Sequence, residues 1–387
     1  MFVWERPGAE EPVYVVGVLD GHGREVGRVA AQAARVAFIS YFDENYRKLF
    51  SDPVECLHHS FVHAHAAIKK EFCAHYERIG AQVTESEEGF LMKRKSSSQP
   101  WSCVHGGSSC SIIAIVGNTL YSANVGDSTV TLCTGTPIPV GGVMQDVVDI
   151  GLTSLPGAAS PPATEPTAAR ESTERSNTVL VTAEHSPESP EEFYRMRRFR
   201  CRETDSMQTA LHVVYDSPSV EKVLCPPVFF VDGEATATVT NRGRQVYSTC
   251  VYYKNVRNEW ASLVATPPTA QFQDALAFTR SLGDFHLQTY EALARFPVTA
   301  SVAPMTCATM ACLVVATDGI WDNWAYEDVT KFVMDDSCTK AVLKSANGKM
   351  GQASPRVANS LIKRNAVFAK RNFGGDADNA TAVVVYL

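Results

Sequence analysis

Several features that mark secreted or membrane-spanning proteins are missing from this sequence. Its 11 cysteines include no Cys-x-x-Cys pair, and the segment from Met1 to Pro7 has no signal-peptide pattern. No apolar run approaches the roughly 20 residues that a membrane-spanning helix needs. We therefore expect reduced thiols, a cytoplasmic or nuclear location and no membrane partner.

An excess of positive charge is also missing. The sequence has 35 Lys and Arg residues against 42 Asp and Glu residues, which gives a formal net charge of −7. Because nucleic acids attract strongly basic surfaces, we expect no nucleic-acid partner. The 387 residues, of which 45% are hydrophobic, are enough to build a substantial core. We expect a monomer.

The first part of the chain predicts buried strands and long helices. The run from Val13 to Leu19 is almost wholly apolar and predicts a buried strand. Small apolar residues at helical spacing predict a helix over 24–42, and Asp52-Pro53 is typical of the start of a second helix, over 54–76. The polar segment 85–101 predicts a mobile loop. Three further strands are expected, at 110–116, 119–125 and 128–133.

Predicted strands dominate the middle and end of the chain. Alternating apolar and polar residues over 223–264 indicate extra strands, whereas the composition of 151–177 is typical of disorder. This pattern, without a tandem repeat, favours an α+β sandwich over a parallel βαβ sheet. We also expect strands at 178–182, 313–317 and 380–387, and helices at 190–200, 326–334 and 354–371.

One feature recurs along the chain, a carboxylate beside Gly or Asn where an apolar strand ends. A single Asp-Gly pair usually marks a turn. Several such carboxylates would repel one another if they converged, unless a hard cation such as Mg²⁺ or Mn²⁺ joined them. The pairs are Asp20-Gly21, Gly126-Asp127, Asp318-Gly319 and Asp378-Asn379, with Gly283-Asp284 as a weaker fifth.

These pairs lie within longer motifs that resemble a known family. "VVGVLDGHG" is similar to the Asp-Gly-His-Gly signature of the metal-dependent type 2C protein phosphatases, and "GGSSCSIIAIVGNTLYSANVGDSTVTL" to their Ala-Asn-x-Gly-Asp-Ser region. "LVTAEHSPESPEEFYRMRR" and "ALAFTRSLGDF" resemble two further motifs, with Glu184 in place of Asp and Thr279 in place of Ser. "LVVATDGIWDNW" and "DADNATAVVV" resemble the last two metal motifs. The order of all six is that of the family.

The resemblance implies an α+β fold, a four-layer αββα sandwich of two antiparallel β-sheets flanked by helices, in a single catalytic domain over 1–387. It also implies hydrolysis of phosphoserine and phosphothreonine on phosphoprotein substrates by a hydroxide that bridges two Mg²⁺ or Mn²⁺ ions. Asp20 is expected to bridge the two ions, and His22 to be the general acid that protonates the leaving oxygen. The remaining metal ligands implied are the Gly21 carbonyl, Asp318 and Asp378, and, at a looser third site, Asp127 and Asp322 together with Asp318.

The sequence departs from the family before Asp20. An Arg that grips the substrate phosphate and a Glu-Asp pair usually precede the Asp-Gly-His motif, but the first 19 residues contain no convincing match. They can form one hairpin with Pro7-Gly8 at its turn, from which Arg6 is a weak candidate for the phosphate-binding Arg. Two explanations fit this departure. The sequence can be a shortened version of a longer protein, or a natural variant with an impaired second metal site.

Two insertions separate the motifs, at about 134–177 and 201–270. We expect the first to be disordered. The second has strand character and lies where the family carries a flap near the active site. It can shape substrate choice or be a surface decoration, and the sequence favours neither.

Three functions compete. The first is the metal-dependent protein phosphatase. The second is a pseudophosphatase that binds phosphoproteins with little or no turnover, which the missing N-terminal motif favours. The third is hydrolysis of small phosphoesters, which needs only an open site. The sequence retains the full set of aspartates implied as metal ligands, together with His22, and this favours an enzyme. These aspartates are Asp20, Asp127, Asp318, Asp322 and Asp378.

A separate group of histidines lies in "LHHSFVHAHAAI". On a helix, His59 and His63 lie one turn apart, a spacing that can bind a transition metal. No Glu follows in the zinc-protease pattern, so ordinary helix histidines are the preferred interpretation.

Overall fold

The structure, a computed structural model, describes most of the chain. The described residues are 1–6, 12–86, 89–94, 98, 100–149, 174–199, 211–232, 236–238, 252–290, 293–295, 297–302, 310–345 and 352–387.

Two antiparallel sheets form the centre of the fold. The first sheet has the order β1-β2-β6-β7-β17-β9, with β16 paired to β6. Its strands are β1 (Phe2–Arg6), β2 (Val13–His22), β6 (Gly107–Val116), β7 (Thr119–Val125), β9 (Met144–Asp149), β16 (Leu282–Gly283) and β17 (Val298–Val302). The second sheet has the order β10-β8-β18-β20-β19. Its strands are β8 (Thr129–Pro139), β10 (Arg175–Leu180), β18 (Ala311–Ala316), β19 (Gln352–Ala353) and β20 (Ala382–Tyr386).

Three smaller sheets flank this centre. They contain β3 (Ala81–Ser86), β4 (Gly89–Arg94) and β5 (Ser102–Cys103), then β11 (His212–Tyr215), β14 (Ser262–Ala265) and β15 (Ala275–Leu276), and finally β12 (Phe230–Asp232) with β13 (Thr236–Thr238). The α-helices are α1 (Gly27–Asn45), α2 (Lys48–Ser51), α3 (Pro53–Arg78), α4 (Pro190–Phe199), α5 (Phe285–Gln288), α6 (Asp318–Trp321), α7 (Tyr326–Val333), α8 (Asp336–Ser345) and α9 (Pro355–Phe373). Lys222–Leu224 and Gly374–Asp376 are 3₁₀ turns.

The period-two alternation of a strand explains how the layers form. In β2, Val13 and Val15 pack in the core beneath α1 and α3, whereas Val16 and Val18 pack in the core between the two sheets. On the outer face of the second sheet, a further core is shared with α7 and α9. The four layers are thus helix, sheet, sheet and helix, which confirms the predicted αββα sandwich.

The helices on the first sheet follow their sequence signals. Small residues, among them Ala30 and Ala34, line the buried face of α1 and allow it to pack closely against α3. Asp52 caps α3 by accepting a hydrogen bond from the Glu55 backbone N–H, and Pro53 occupies the first turn.

One loop prediction is wrong, and the disorder predicted for the first insertion is contradicted only at its two ends. The predicted mobile loop at 85–101 instead contributes β4 and the end of β3, because Phe90 and Leu91 are buried and anchor these strands to the core. The first predicted insertion is also partly ordered, since β8 extends to Pro139 and β9 pairs with β17. Its centre, 150–173, lies outside the described residues.

The second predicted insertion contains short strands where it is described. Here β11 pairs with β14, and β14 pairs in turn with β15. Residues 201–210 and 239–251 lie outside the described residues. Among the described helices, none is long and apolar enough to cross a membrane.

Candidate metal centre and active site

Two aspartates stand at corresponding ends of the two central sheets. Asp20 is near the end of β2, in the position whose alternation matches Val16 and Val18, so it belongs to the face between the sheets. Asp318 begins α6 directly after β18, the central strand of the second sheet. The sandwich therefore brings together two carboxylates that are almost 300 residues apart in sequence.

A third carboxylate, that of Asp378, completes a compact group. One carboxylate oxygen from each of Asp20, Asp318 and Asp378 lies within 4.8 Å of the other two. Oδ2 of Asp20 and Oδ1 of Asp318 are buried and have no hydrogen-bond partner among the described residues. Buried polar atoms normally have partners, so these two oxygens fit the ligand atoms of a hard divalent cation.

The electrostatics of this group fit a cation as well. Burial raises the pKa of Asp20 to about 9, with further contributions from the charges of Asp318, Asp378 and Asp127. Burial also raises the pKa of Asp318, and the charge of Asp378 adds to it. A bound divalent cation would remove this conflict by stabilising the ionised carboxylates.

The pKa values of Asp127 and Asp322 are affected by charges of the same group of carboxylates. Burial and the charge of Asp318 raise the pKa of Asp127 to about 7, and the same two causes raise that of Asp322 to about 8. The charge of Lys254 lowers the pKa of both carboxyl groups, against these two causes. We call the five aspartates 20, 127, 318, 322 and 378 the acidic cluster.

Gly21 lies where the end of β2 meets the start of α1. A Cβ atom at Gly21 would lie 2.1 Å from the Gly27 carbonyl oxygen, so only glycine fits. Gly27 is equally constrained, since its Cβ would lie 2.6 Å from the His22 carbonyl oxygen. This close packing fixes the backbone that directly follows Asp20.

His22 is paired with Asp284. Its Nε2 lies 2.8 Å from Oδ1 and 2.9 Å from Oδ2 of Asp284, while Nδ1 is buried without a hydrogen-bond partner among the described residues. Burial lowers the pKa of His22, but the charge and hydrogen bond of Asp284 outweigh burial and raise it above its usual value of 6.5. The pair keeps Nε2 engaged and leaves Nδ1 to exchange a proton with a ligand.

Asp284 is the functional candidate that the sequence reasoning undervalued. It was the weaker fifth carboxylate in a possible metal set, yet the structure places it against His22. Asp284 is buried, and its backbone adopts the left-handed conformation, with φ at 46°. This conformation is strained for a residue other than glycine. Its backbone N–H donates to the Gly106 carbonyl, which ties it to the start of β6. Strain at a position that is fixed from both sides is typical of functional sites.

The arginine of "TRSLGD" has a structural role. Arg280 is buried and donates to both carboxylate oxygens of Asp149, at 2.8 and 2.7 Å, and to Glu192. The backbone N–H of Thr279, which stands in place of Ser, donates to the His185 carbonyl, and its hydroxyl donates to Glu192. Asp149 belongs to the first predicted insertion, so that insertion contributes a buried ion pair to the fold.

Arg6 lies away from the acidic cluster. Arg6 pairs with Val13 at the far end of the β1–β2 hairpin and its guanidinium lies over the Tyr46 ring, 4.9 Å from the centroid. Arg6, the weak candidate for the phosphate-binding Arg, thus lies at the opposite end of β2 from Asp20, and the two strands of the hairpin pair as expected. The expected turn at Pro7-Gly8 lies outside the described residues.

In α3, one ligand atom from each of Glu55, His58 and His59 lies within 4.8 Å of the other two. The preferred interpretation, that these are ordinary helix histidines, stays a prediction. His65 is engaged elsewhere, because its Nδ1 accepts a hydrogen bond from the Gly283 backbone N–H.

Comparison with known proteins agrees with these observations. A family model described as "Protein phosphatase 2C" matches residues 7–139 and 259–366, more than half of the chain. No curated protein matches the chain at a significant level.

The solved structures that are similar to this chain share little sequence identity with it. The chain is similar to a serine-threonine phosphatase 2C from Toxoplasma gondii, at 14% identity and a TM-score of 0.48, covering 98% of this chain and 86% of that one. A C. elegans sex determining protein has 14% identity and a TM-score of 0.47, covering 100% and 60%. An S. agalactiae serine/threonine phosphatase has 12% identity and a TM-score of 0.39, covering 100% and 91%. On the extent of the family match, the chain belongs to the protein phosphatase 2C family.

Proposed function

We propose that this chain hydrolyses phosphoserine and phosphothreonine on protein substrates and that it depends on Mg²⁺ or Mn²⁺. One observation carries the proposal. Asp20, Asp318 and Asp378 converge within 4.8 Å, and two of their oxygens are buried without hydrogen-bond partners among the described residues. Carboxylates in this arrangement favour hard divalent cations, and family membership gives the reaction class.

Each residue of the site has a defined task in this proposal. Two divalent cations supply a water of lowered pKa and positive charge for the phosphoryl oxygens when bound. Asp20 would hold both cations, with the Gly21 carbonyl on one and with Asp318 and Asp378 on the other. His22 donates a proton from Nδ1 to the leaving Ser or Thr oxygen, while Asp284 fixes the orientation of the imidazole through Nε2.

Asp127 and Asp322 are the remaining carboxylates of the acidic cluster. Together with Asp318, they would form a looser third site. Their pKa values of about 7 and about 8 indicate that positive charge near them is favourable.

The test is hydrolysis of a phosphothreonine peptide by the purified chain with Mn²⁺, with Mg²⁺ and with EDTA. We expect phosphate release that chelation abolishes and that Asp318→Ala lowers by at least about 100-fold. Asp376→Ala, which changes an exposed aspartate beside the site, should retain activity. Turnover of p-nitrophenyl phosphate without turnover of phosphopeptides would restrict the enzyme to small phosphoesters.

A pseudophosphatase is the second candidate, and one observation favours it. Arg6 lies over Tyr46 and not at the acidic cluster, so the hairpin before Asp20 supplies no phosphate-binding arginine among its described residues. A folded chain that binds phosphopeptides but releases no phosphate under any of these conditions would support this candidate and contradict the first.

A further inference from the structure

A groove of about 800 Å³ lies in the helical layer that covers the second sheet. Residues of α7, α8 and α9 line it, together with the segment that joins α6 to α7. The described residues that line it include no member of the acidic cluster and neither His22 nor Asp284. We call it the α7–α9 groove. It is a feature that the proposed reaction itself does not use.

Three aromatic side chains lie together along the α7–α9 groove. The ring centroid of Trp324 lies 4.8 Å from that of Phe368 and 5.8 Å from that of Phe332. Trp324 is buried, and its Nε1–H donates to Oδ1 of Asn365 at 3.1 Å. Phe332 and Phe368 are only partly buried. The groove therefore offers a preformed apolar surface to a large side chain of a ligand.

Two arginines line the groove beside these rings. The central guanidinium carbons of Arg364 and Arg371 lie 5.7 and 5.2 Å from the centroid of the Phe368 ring. Within the part of the chain that the structure describes, neither guanidinium pairs with a carboxylate, and Arg371 Nε donates to the neighbouring Asn372 side chain at 3.3 Å. Most of their N–H groups are therefore available for bidentate binding of a carboxylate or a phosphate.

The acidic residues of the groove already have partners. Asp328 accepts a hydrogen bond from Lys331 Nζ at 2.8 Å, and Asp335 accepts from the backbone N–H of Ser337, also at 2.8 Å. The helix that carries the two arginines, α9, contains five Lys and Arg residues and no Asp or Glu, although the chain as a whole has a net charge of −7. This charge distribution favours an anionic ligand in the groove.

The α7–α9 groove adjoins the candidate active site. Trp324 stands two residues after Asp322, so their Cα atoms lie within roughly 8 Å of each other. Asn372 Nδ2 donates to Oδ1 of Asn323 at 3.1 Å, which fixes the end of α9 against this segment. Asp378 follows six residues after Asn372. A single extended peptide is therefore long enough to occupy both the groove and the acidic cluster.

We propose that the α7–α9 groove binds an acidic segment of the substrate protein, in which a large apolar side chain stands among carboxylates. The apolar side chain packs against the aromatic rings, and the carboxylates pair with Arg364 and Arg371. This inference rests on the proposed function and deepens it by naming a class of substrate. A concave groove with aromatic walls favours a peptide over the flat surface of an anionic membrane.

The first experiment measures binding of a fluorescent peptide to the full chain by fluorescence anisotropy. The peptide contains Glu-Glu-Phe-Glu-Glu and no phosphate, and EDTA prevents its carboxylates from binding metal ions at the acidic cluster. We expect the double variant Arg364→Gln/Arg371→Gln to bind it at least about tenfold more weakly than the unchanged chain. Thermal unfolding confirms that the variant is folded, as expected from the exposure of both side chains.

The matched control removes the same charge from the same helix. Lys363 and Lys370 are exposed, each directly precedes one of the two arginines, and neither lines the groove. The double variant Lys363→Gln/Lys370→Gln should change the affinity by less than about twofold. An equal loss in both double variants would show attraction by net charge alone and would overturn the inference.

Two further probes test what the groove recognises. The peptide with Ala in place of Phe should bind at least about fivefold more weakly, because it leaves the aromatic surface uncovered. Equal affinity for both peptides would overturn the inference. Binding to phosphatidylserine vesicles that is lost in Arg364→Gln/Arg371→Gln, without binding to either peptide, would assign the arginines to a membrane and overturn it as well.

Kinetics connects the groove with the substrate and separates this inference from the proposed function. A phosphothreonine peptide that carries the acidic segment about six residues away, before or after the phosphate, should have a KM at least about fivefold below that of its Gln-Gln-Phe-Gln-Gln counterpart, with kcat unchanged. Arg364→Gln/Arg371→Gln should remove the difference. Equal KM values with normal phosphate release overturn the inference alone. No phosphate release, with the acidic peptide still bound, overturns the proposed function and with it the assignment of a substrate to the groove.

Discussion

At the scale of single residues, the pairing of His22 with Asp284 determines which imidazole nitrogen can do chemistry. Asp284 engages Nε2 with both carboxylate oxygens, and the buried Nδ1 remains for a ligand. A general acid must carry its proton when the leaving group departs. Because Asp284 raises the pKa of His22 above 6.5, the imidazole stays protonated to a higher pH than an ordinary histidine.

Asp284→Asn should therefore change the pH dependence of phosphate release. We expect the fall of kcat at high pH to begin at a lower pH, because the amide no longer stabilises the protonated imidazole, and kcat itself to fall by about tenfold or more. The measurement is a pH profile of kcat with a phosphothreonine peptide at saturating Mn²⁺. Glu55→Gln removes the carboxylate from another histidine pair, that with His59, and should leave the profile unchanged. An unshifted profile for Asp284→Asn would refute the positioning role.

Gly21→Ala tests the close approach between β2 and α1. The new Cβ would lie 2.1 Å from a backbone oxygen, so the strand end or the helix must move. We expect a loss of about 2–3 kcal/mol in the free energy of unfolding, measured by urea denaturation, and weaker Mn²⁺ binding. Gly375→Ala is the control, since nothing lies within 4 Å of its Cβ position. Equal stability of the two variants would contradict the packing argument.

At the scale of elements, predictability followed the strength of local patterns. The run before Asp20 predicted β2, and Asp52-Pro53 predicted the start of α3, because burial and capping leave periodic signals in the sequence. The structure of segment 85–101 could not be predicted from the local pattern, because its apolar run, Phe90 to Met92, is short and stands among polar residues. The burial of Phe90 and Leu91 in the folded chain decides its structure. The short hairpin of residues 252–261 likewise depends on contacts with a distant helix, which no local sequence pattern predicts.

Arg257→Met tests how the hairpin of residues 252–261 is held against Trp321 and Trp324. The arginine donates to Trp321 and Trp324, pairs with Glu259 and stacks over Tyr326 at 4.6 Å. We expect unfolding to require about 2 kcal/mol less, since charge-assisted hydrogen bonds are lost, and proteolysis within the second insertion to accelerate.

The control for this substitution lies in the same insertion. Lys222→Met removes an ion pair with Asp216 in which the lysine is 41% exposed, and it should cost at most about 1 kcal/mol. If both variants were equally stable and equally resistant to protease, Arg257 would not be the anchor.

At the scale of the whole molecule, the sandwich explains what the sequence could and could not reveal. Each motif identified its own aspartate, and the family resemblance predicted that these aspartates converge. The role of Asp284 and the attachment of Arg257 could not be predicted, because they depend on how β16 pairs with β6 and how an insertion contacts Trp321 and Trp324. Local sequence specifies the ends of strands, and only the packing of two sheets specifies which ends meet.

The convergence of carboxylates makes the stability of the whole chain depend on pH and metal. The raised pKa values, about 7 for Asp127, about 8 for Asp322 and about 9 for Asp20, mean that the folded chain binds more protons than the unfolded chain above about pH 4. The stabilising contribution is therefore complete below about pH 4 and is lost as the pH rises through 7 to 9. In EDTA, we expect Tm to fall by about 5 °C between about pH 6 and about pH 9.

Saturating Mn²⁺ should remove most of this decline, because a bound cation stabilises the ionised carboxylates in the folded state alone. Asp318→Asn should behave differently from the unchanged chain, both in EDTA and in saturating Mn²⁺. It removes a like charge from beside Asp20 and Asp127, so in EDTA its Tm should decline less with pH, and it removes a ligand, so Mn²⁺ should stabilise it less. Differential scanning calorimetry of both chains across this pH range, with and without Mn²⁺, measures all four curves. A decline in EDTA that neither Mn²⁺ nor the substitution altered would place its origin outside the acidic cluster.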